Sequence, residues 1–408
     1  MVLAIFILTY LGVAMGRVPG LKVNRVGIAL LGAIAMMIFS ERTTAEFAAL
    51  VNWPTIFLLF GFFVISAQLR LSGLYDRMAG GIADRLNAPH KFLLYLLVVT
   101  AAMSAVLNHD IVCYVLTPVV GAALIRKRMD PAPYLIGVAT ASNVGSAATL
   151  VGNAQNMLIG EVAHLGFLPY MAWSLVPVAV GIAGIFFVTR YSADRRNPIF
   201  TLAEPELEEP VHPFDRYHTA KGLLVLFVVI GLFFTSLPKE IVVLVAAGIH
   251  LMSQKFGTDE LFKLVDWPIL ILFMSLFVVS GSFQQAGYGD ALLRWMEGFG
   301  FDPTRPTNET LLTAALTVLI NNAPAVMLLV KVLPLAHPVM GYIMAVSNSF
   351  AGSAILNASV ANIIVIQQAK RQGISISFGE FARLGIPITL ISLGGLVAWA
   401  ALTGSLTG

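Results

Sequence analysis

A segment in the first half of the chain returns almost unchanged 214 positions later. The matching pairs include Val51 with Val265, Trp53 with Trp267, Pro54 with Pro268, Phe63 with Phe277, and Asp76 with Asp290. A chain of 408 residues that repeats at about half its length folds as two related halves. In an apolar sequence, this arrangement is typical of duplicated membrane proteins.

The composition supports a membrane protein. Hydrophobic residues make up 58% of the chain and charged residues 12%, against roughly 25% charged residues in soluble domains. Apolar runs of about 15 to 20 residues recur, and each is long enough to enter or cross a hydrocarbon core of ~30 Å. The first run, 2–15, has no basic start and no cleavage pattern, so we expect a retained helix. We therefore predict an all-α polytopic membrane protein.

Asparagines interrupt two long apolar stretches, at Asn108 and at Asn322, and these two positions also differ by 214. If each interruption is the tip of a re-entrant helical hairpin, each half has five transmembrane helices, and an odd number inverts the second half relative to the first. The predicted divisions are a first inverted repeat over 1–189, a linker over 190–221 and a second repeat over 222–408. Within the repeats we expect hairpins at about 91–125 and 310–336, and broken helices at about 134–162 and 341–367.

The positions of the basic residues favour one orientation. Most of the 25 Lys and Arg fall on the cytoplasmic side if both termini face the periplasm of a bacterial inner membrane, as the positive-inside rule requires. The linker 190–221 is then cytoplasmic. Its proline and mixed charge favour a solvated tether over a docking site for a cytosolic partner.

Polar side chains inside hydrocarbon are costly unless they face a cavity or a partner. Clusters of such residues occur in both halves and predict a shared substrate-binding centre, which comprises Asn108, Ser142, Asn143, Thr149, Asn153, Asn322, Ser347, Asn348, Ser353 and Asn357. Close helix packing is the alternative explanation for the small residues among them. Helix N-termini and amides suit a neutral or anionic oxygen-bearing solute, and free carbonyls suit a cation.

One predicted tip carries an adjacent titratable pair, His109 and Asp110. We interpret the pair as a candidate site of proton coupling. The alternative is that Asp110 caps the returning half-helix. Lys331 is expected to extend its ammonium group to the interface.

Several classes of activity lack their motifs. No Walker-type loop is present, and no nucleophile, base and orienting group fall together, so we predict neither an ATPase nor another enzyme. We expect no cofactor, no metal site and no nucleic-acid partner. Cys113 is the single cysteine and cannot supply a three-thiolate site.

The chain resembles the ion transporter superfamily over nearly its whole length, most closely the branch of arsenite efflux permeases and NhaD-type sodium/proton antiporters. The likeness rests on Asn321-Asn322-Ala323-Pro324, on Thr149-Leu150-Val151-Gly152-Asn153, and on Asn108 ahead of an acidic residue. His109 departs from the Asn-Asp-Gly hairpin of arsenite permeases. The resemblance implies a secondary transporter that works by alternating access.

Our first hypothesis is proton-coupled efflux of arsenite or antimonite. The alternatives are a sodium-coupled carrier of dicarboxylates or inorganic anions, a sodium/proton antiporter, and a passive channel. The expected partners are the small solute, H+ or Na+, and membrane lipid. A cytosolic ATPase and a homodimer both stay open.

Overall fold

The computed structural model describes residues 1–16, 20, 22–40, 42–83, 89–195, 212–235, 237–253, 255–335 and 337–404. All regular structure in these ranges is helical, which confirms the predicted all-α class. Half of the predicted linker, 196–211, lies outside the described residues.

The first half contributes ten helices to the described structure. They are α1 Val2–Met15, α2 Arg25–Ile38, α3 Thr44–Leu50, α4 Trp53–Leu71, α5 Leu74–Ala83, α6 Pro89–Val106, α7 His109–Arg126, α8 Ala132–Ser146, α9 Ala154–Val162 and α10 Phe167–Asp194. Leu107 and Asn108 separate α6 from α7, and residues 147–153 separate α8 from α9.

The second half repeats this order. Its helices are α11 Arg216–Leu232, α12 Lys239–Leu251, α13 Thr258–Lys263, α14 Trp267–Gln285, α15 Tyr288–Gly298, α16 Pro306–Ile320, α17 Asn322–Val332, α18 Pro338–Ala351, α19 Val360–Arg371 and α20 Phe378–Leu402. A 3-10 turn, Leu356–Ala358, lies in the break between α18 and α19.

Helix boundaries follow the duplication. The helices α1 to α5 begin 214 positions before α11 to α15, and α4 and α14 match at both ends. Beyond the tips the spacing shortens: α8 begins at residue 132 and α18 at 338, a spacing of 206, and α9 at 154 and α19 at 360 keep it. The offset of 214 therefore holds for the helices up to α5 and α15, is 213 between the starts of α7 and α17, and is 206 at the broken helices.

The repeated Trp-Pro motif is a device for starting a helix. Asn52 accepts a hydrogen bond from the Thr55 backbone N–H at 2.9 Å, and Asp266 accepts one from Ile269 at 3.1 Å. The proline occupies the first turn of each helix, where its missing N–H costs nothing. The motif thus fixes where the two matched helices α4 and α14 begin.

Six described helices are long and apolar enough to cross a membrane, namely Trp53–Leu71, Pro89–Val106, His109–Arg126, Phe167–Asp194, Trp267–Gln285 and Phe378–Leu402. Large apolar side chains such as Phe187, Leu390 and Leu402 are exposed on their outer sides. Lipid is the solvent that suits such a surface.

The broken helices lie at the centre. Every residue of α8 is buried, as is α18 from Met340 to Ala351. The first helix packs against α6, α7 and α10, and the second against α16, α17 and α20. Gly145 on α8 has no room for a side chain, because a Cβ there would overlap the backbone of Ala101. The helices α8 and α18 that lead into the two breaks are consequently surrounded by other helices.

Candidate functional site

The breaks of α8–α9 and α18–α19 meet at the centre of the molecule and exchange hydrogen bonds. The Asn143 side chain donates to Asn362 Oδ1 at 2.8 Å and accepts from the Ser359 hydroxyl at 2.8 Å. Under the spacing of 206, the counterpart of Asn143 is Ser349. Ser349 accepts from Asn153 Nδ2 at 3.1 Å and donates to Asn156 Oδ1 at 3.4 Å. The same pair of contacts thus occurs twice, related by a pseudo-two-fold axis.

The two matched asparagines of the second half-helices also satisfy free carbonyl groups. Asn156 Nδ2 donates to the carbonyls of Ser146 and Thr149 at 3.2 and 3.1 Å. Asn362 Nδ2 donates to those of Gly352 and Ile355 at 2.7 and 3.0 Å. Broken helices leave such carbonyls without partners. The amides of Asn156 and Asn362 therefore stabilise the non-helical backbone of the two breaks.

The predicted binding residues Asn143 and Asn153 are largely occupied by this network. Asn153 Oδ1 caps α9 by accepting from the Asn156 N–H at 2.7 Å, and its amide nitrogen also donates to Ser146 Oγ at 2.7 Å. A solute could therefore bind Asn143 or Asn153 only through hydrogen bonds made in addition to these. Their first role in the structure is to order the centre.

The first tip is tied to the first break. Ser142 Oγ donates to the His109 carbonyl at 3.0 Å, and Thr149 Oγ1 donates to the Ala105 carbonyl. Asn108 caps α7 by accepting from the Asp110 N–H at 2.9 Å. The residue that caps the returning helix is therefore Asn108 rather than Asp110, which leaves the Asp110 carboxylate available for other contacts.

His109 and Asp110 form a buried pair at this tip. His109 Nε2 lies 3.4 Å from Asp110 Oδ1, and both side chains are less than a tenth exposed. His109 Nδ1 and Asp110 Oδ1 make no hydrogen bond with the described residues. The imidazole and the carboxylate are thus close enough to interact electrostatically, without a hydrogen bond between them.

The second tip is built from a strained asparagine. Asn321 joins α16 to α17 with φ 81° and ψ 157°, a region that side chains other than glycine rarely occupy. Its amide donates to the Asn357 carbonyl at 2.9 Å. The adjacent Asn322 accepts from the Ala323 N–H at 2.9 Å. This tip thus contacts the break after α18.

The remaining predicted residues of the second half differ in their surroundings. Ser347 donates to the Met344 carbonyl within its own helix at 3.3 Å, and Ser353 donates to the Thr140 carbonyl at 3.5 Å. Asn348 Oδ1 accepts from Thr317 at 2.8 Å, while its Nδ2 has no partner among the described residues. The Asn357 side chain is exposed.

A narrow cavity opens beside the first tip. Its volume is small, about 20 Å³, and its polar lining residues are Ser66, Asn108 and Asn153. Apolar residues of α4, α9 and α11 complete it, and its described lining contains neither Lys nor Arg. Groups of His, Cys, Asp and Glu that could hold a metal ion do not occur among the described residues.

Two buried residues escaped the sequence prediction. Ser349 would have been found by applying the spacing of 206 to Asn143, but the offset of 214 conceals the match. Glu309 on α16 is fully buried. The sequence did not indicate this, because Glu309 lies near the start of an apolar run, where a carboxylate normally faces water.

Comparison with known proteins decides the family. The family model described as CitMHS, citrate transporter, matches residues 3–347. The chain belongs to this citrate transporter family. This membership confirms the resemblance to the ion transporter superfamily and makes the chain a membrane transporter.

Two relatives in this comparison match the chain over nearly their whole length. The uncharacterized transporter Rv2685 of Mycobacterium tuberculosis (strain ATCC 25618 / H37Rv) is 29% identical over 96% of this chain and 95% of its own. The silicon efflux transporter LSI3 of Oryza sativa subsp. japonica is 24% identical over 92% of each. The crystal structure of the YdaH transporter of Alcanivorax borkumensis shares the fold, with a TM-score of 0.61 and 16% identity over 99% of this chain and 96% of YdaH.

Proposed function

We propose that the protein is a proton-coupled carrier that exports a small neutral hydroxylated acid, with arsenite and antimonite as its substrates. The observation that carries the proposal is the buried His109–Asp110 pair at the tip beside the cavity. The pair supplies a place for a proton next to a place for a solute. Inward movement of the proton would drive outward movement of the solute by alternating access.

The chemistry of the cavity favours a neutral solute. As(OH)3 is uncharged near neutral pH and offers hydroxyl groups that both donate and accept hydrogen bonds. The amides of Asn108 and Asn153 and the hydroxyl of Ser66 line the cavity and would serve as partners. Ser66 is also hydrogen-bonded to Tyr75, and Asn153 to Ser146 and Ser349, so the solute would share these groups with the protein. Thiolate ligation of arsenic requires several cysteines, and the chain has only the buried Cys113.

The name of the rice relative supports the same solute class. Silicon in neutral water occurs as an uncharged hydroxylated acid, so a silicon efflux transporter and an arsenite carrier would recognise similar groups. We extend only this chemical class to the present chain.

We further propose the membrane arrangement that accompanies this function. The repeats 1–189 and 222–408 would lie in opposite orientations in a bacterial inner membrane, with both termini in the periplasm and 190–221 in the cytoplasm. The matched helix starts and the two-fold hydrogen bonds between the breaks support two related halves around one centre.

A second candidate is an anion carrier, and the family description as citrate transporter favours it. A citrate ion brings several negative charges, which call for positive partners. The described cavity lining has none, and Asp110 stands at the adjoining tip. A sodium requirement for solute flux would favour this candidate, because a proton-coupled carrier runs in sodium-free buffer.

The deciding experiment measures uptake of radiolabelled arsenite into everted vesicles, with citrate in parallel and with or without sodium. We expect arsenite uptake that collapses when the proton gradient is dissipated and that is lost in Asp110→Asn and Asn322→Ala. Asp290→Asn is the matched control, because Asp290 is an exposed carboxylate. Sodium-dependent citrate uptake without arsenite uptake would overturn the proposal.

A further inference from the structure

A carboxyl group is buried in the second hairpin without any partner. Glu309 on α16 is 0% exposed. Neither of its carboxyl oxygens makes a hydrogen bond with the described residues. The preceding Arg305 does not neutralise it, since Arg305 pairs with Asp302 at 3.4 Å and its side chain is exposed. Such a group is rare in a folded protein and requires an explanation.

Glu309 begins a line of polar side chains along one side of α16. Thr313 and Thr317 follow at steps of four residues, and both are fully buried. The Thr313 hydroxyl has no partner among the described residues, and Thr317 donates to Asn348 Oδ1 at 2.8 Å. At a rise of 1.5 Å per residue, the line covers roughly 18 Å from Glu309 to the tip at Asn321.

The line faces the interior of the protein. Leu311 and Leu319 of α16 are exposed, at 58% and 69%, and mark the outer side of the helix. The buried side lies against α18, which carries Asn348, and α18 in turn contributes Ser349 to the two-fold network. The line therefore connects the base of the second hairpin with the polar centre.

The first hairpin shares the hydroxyl groups of this line but not its carboxyl group. Ser104 on α6 is hydrogen-bonded to Ser142 at 2.9 Å, as Thr317 is to Asn348, and Ser142 and Asn348 are matched by the spacing of 206. Thr100 is buried four residues before Ser104, like Thr313, and a further four residues back the first half has Leu96 where the second has Glu309. The duplication does not explain the carboxyl group, and packing at the matched positions of α6 is achieved without one.

Titratable groups on the neighbouring helices have their own contacts. On α1, Tyr10 is hydrogen-bonded to Ser280 at 2.7 Å. On α17, the ammonium of Lys331 lies 5.5 Å from the ring centre of Phe277. On α18, the ring of Tyr342 packs against Tyr170 at 5.5 Å.

The remaining contacts of α16 are the 3-10 turn 356–358, which carries no charged residue, and α20. On α20, Glu380 belongs to the capping box of its own helix, and Arg383 is exposed. None of these cations forms an ion pair with Glu309 among the described residues.

An isolated carboxylate in a dry interior costs several kcal/mol. With no cation beside it, Glu309 avoids this cost by holding a proton. A carrier that moves its hairpin between two states changes the surroundings of such a group and so its hold on the proton. The hydroxyls of Thr313 and Thr317 can both donate and accept, which suits a relay.

We propose that Glu309 is a second proton-binding site of the carrier, linked to the polar centre through Thr313, Thr317 and Asn348. The site is separate from the His109–Asp110 pair, which lies in the other hairpin. The proposal rests on the proposed function, because it assumes that proton movement drives the solute. One proton binds the carboxylate to form the neutral acid, and the same proton leaves on the return step.

The first test detects the proton without any solute. Infrared difference spectra of the purified full-length protein in lipid, recorded across a pH titration, should show a carboxylic-acid C=O band that is absent in Glu309→Gln. Glu297→Gln is the matched control, because Glu297 is exposed on α15. An unchanged band in Glu309→Gln overturns the proposal, whatever the carrier transports.

The second test separates coupling from folding. In proteoliposomes, Glu309→Gln should keep arsenite exchange at equal concentrations but lose gradient-driven accumulation by about 5- to 150-fold, the range of ordinary coupling energies. Thr313→Val, which keeps the shape and removes the hydroxyl, should slow proton-driven accumulation while leaving exchange intact. A Glu309→Gln variant that accumulates solute like Glu297→Gln excludes the proposed role.

The two proposals fail in different ways. If the unmodified protein accumulates no arsenite, the proposed function is wrong, and the infrared titration still reports on Glu309. If arsenite accumulates normally and Glu309→Gln has no effect on either readout, only the second proton site is wrong. If Glu309→Gln does not fold, the accumulation assay of Thr313→Val decides, and an unimpaired proton-driven rate counts against the relay.

Discussion

Single residues at the tips and breaks carry strain and unpaired polar groups that local sequence could not predict. The φ of +81° at Asn321 is one case. Asn visits the left-handed helical region, but the combination with ψ 157° is populated almost only by Gly. The tip itself was expected at Asn322 because the residue repeats Asn108. That Asn321 turns the chain follows from the contact with Asn357, which is distant in sequence.

Replacement of Asn321 tests this strain. Asn321→Ala loses the hydrogen bond to the Asn357 carbonyl, worth about 0.5–1.5 kcal/mol, and keeps an unfavourable backbone. Asn321→Gly loses the same bond but relieves strain of about 1–3 kcal/mol. We expect the glycine variant to unfold at a higher temperature than the alanine variant in detergent. The reverse order would show that the backbone is relaxed at this position.

The paired asparagines of the breaks make a second prediction at this scale. Asn362→Ala removes three buried hydrogen bonds, which join the Asn362 side chain to the Gly352 carbonyl, the Ile355 carbonyl and the Asn143 amide. A hydrogen bond of this kind contributes about 0.5–1.5 kcal/mol. We expect a large fall in the unfolding temperature, and a similar fall for Asn156→Ala, its counterpart. Asn357→Ala is the control and should change the temperature little, because the Asn357 side chain is exposed.

Among the elements, the order of the helices was predictable from sequence, and the partners of the breaks were not. Hydrophobic runs, the Trp-Pro helix starts and the offset of 214 locate α1 to α5 and α11 to α15. After the tips, eight residues fewer separate the matched helices, and a fixed offset then pairs the wrong side chains. The offset of 214 would pair Asn143 with Asn357, whereas the spacing of the broken helices pairs it with Ser349.

The N-terminus of α11 carries a pH-dependent contact outside the membrane-spanning segments. Asp215 accepts from the His218 N–H at 2.9 Å and pairs with Lys255, and these contacts hold the pKa of its carboxyl well below the usual range. A lowered pKa stabilises the folded state fully above the unfolded value near 4, and this contribution declines as the pH falls from there through the lowered pKa.

Asp215→Asn should consequently lower the unfolding temperature at neutral pH and have less effect in acid. The asparagine keeps an acceptor for the helix N-terminus but loses the charge that attracts Lys255. The measurement is thermal unfolding of both proteins in detergent from neutral pH down to about 3, below the ordinary Asp value. A difference between them that stays constant over this range would show that the charge contributes nothing.

For the whole molecule, the two halves are intertwined rather than side by side. The pairs α2–α14 and α4–α12 pack across the halves and are equivalent under the duplication, and α7–α19 and α10–α20 also join first to second half. The two-fold hydrogen bonds at the breaks add polar contacts between the halves. The centre is therefore stabilised by contacts between the two repeats, which neither repeat could make alone.

This arrangement predicts that the covalent link between the two halves is not needed once the halves have packed together. A protease site inserted between residues 196 and 211, and cut after purification, should leave both fragments together in detergent with solute exchange intact, because the packing between α4 and α12 and between α10 and α20 does not pass through the cut. Residues 1–189 expressed alone should instead aggregate, since α2, α4, α7 and α10 would each expose a face that the second half covers. Separation of the cleaved fragments, or a stable isolated first repeat, would contradict the interlocked arrangement and favour two self-contained bundles.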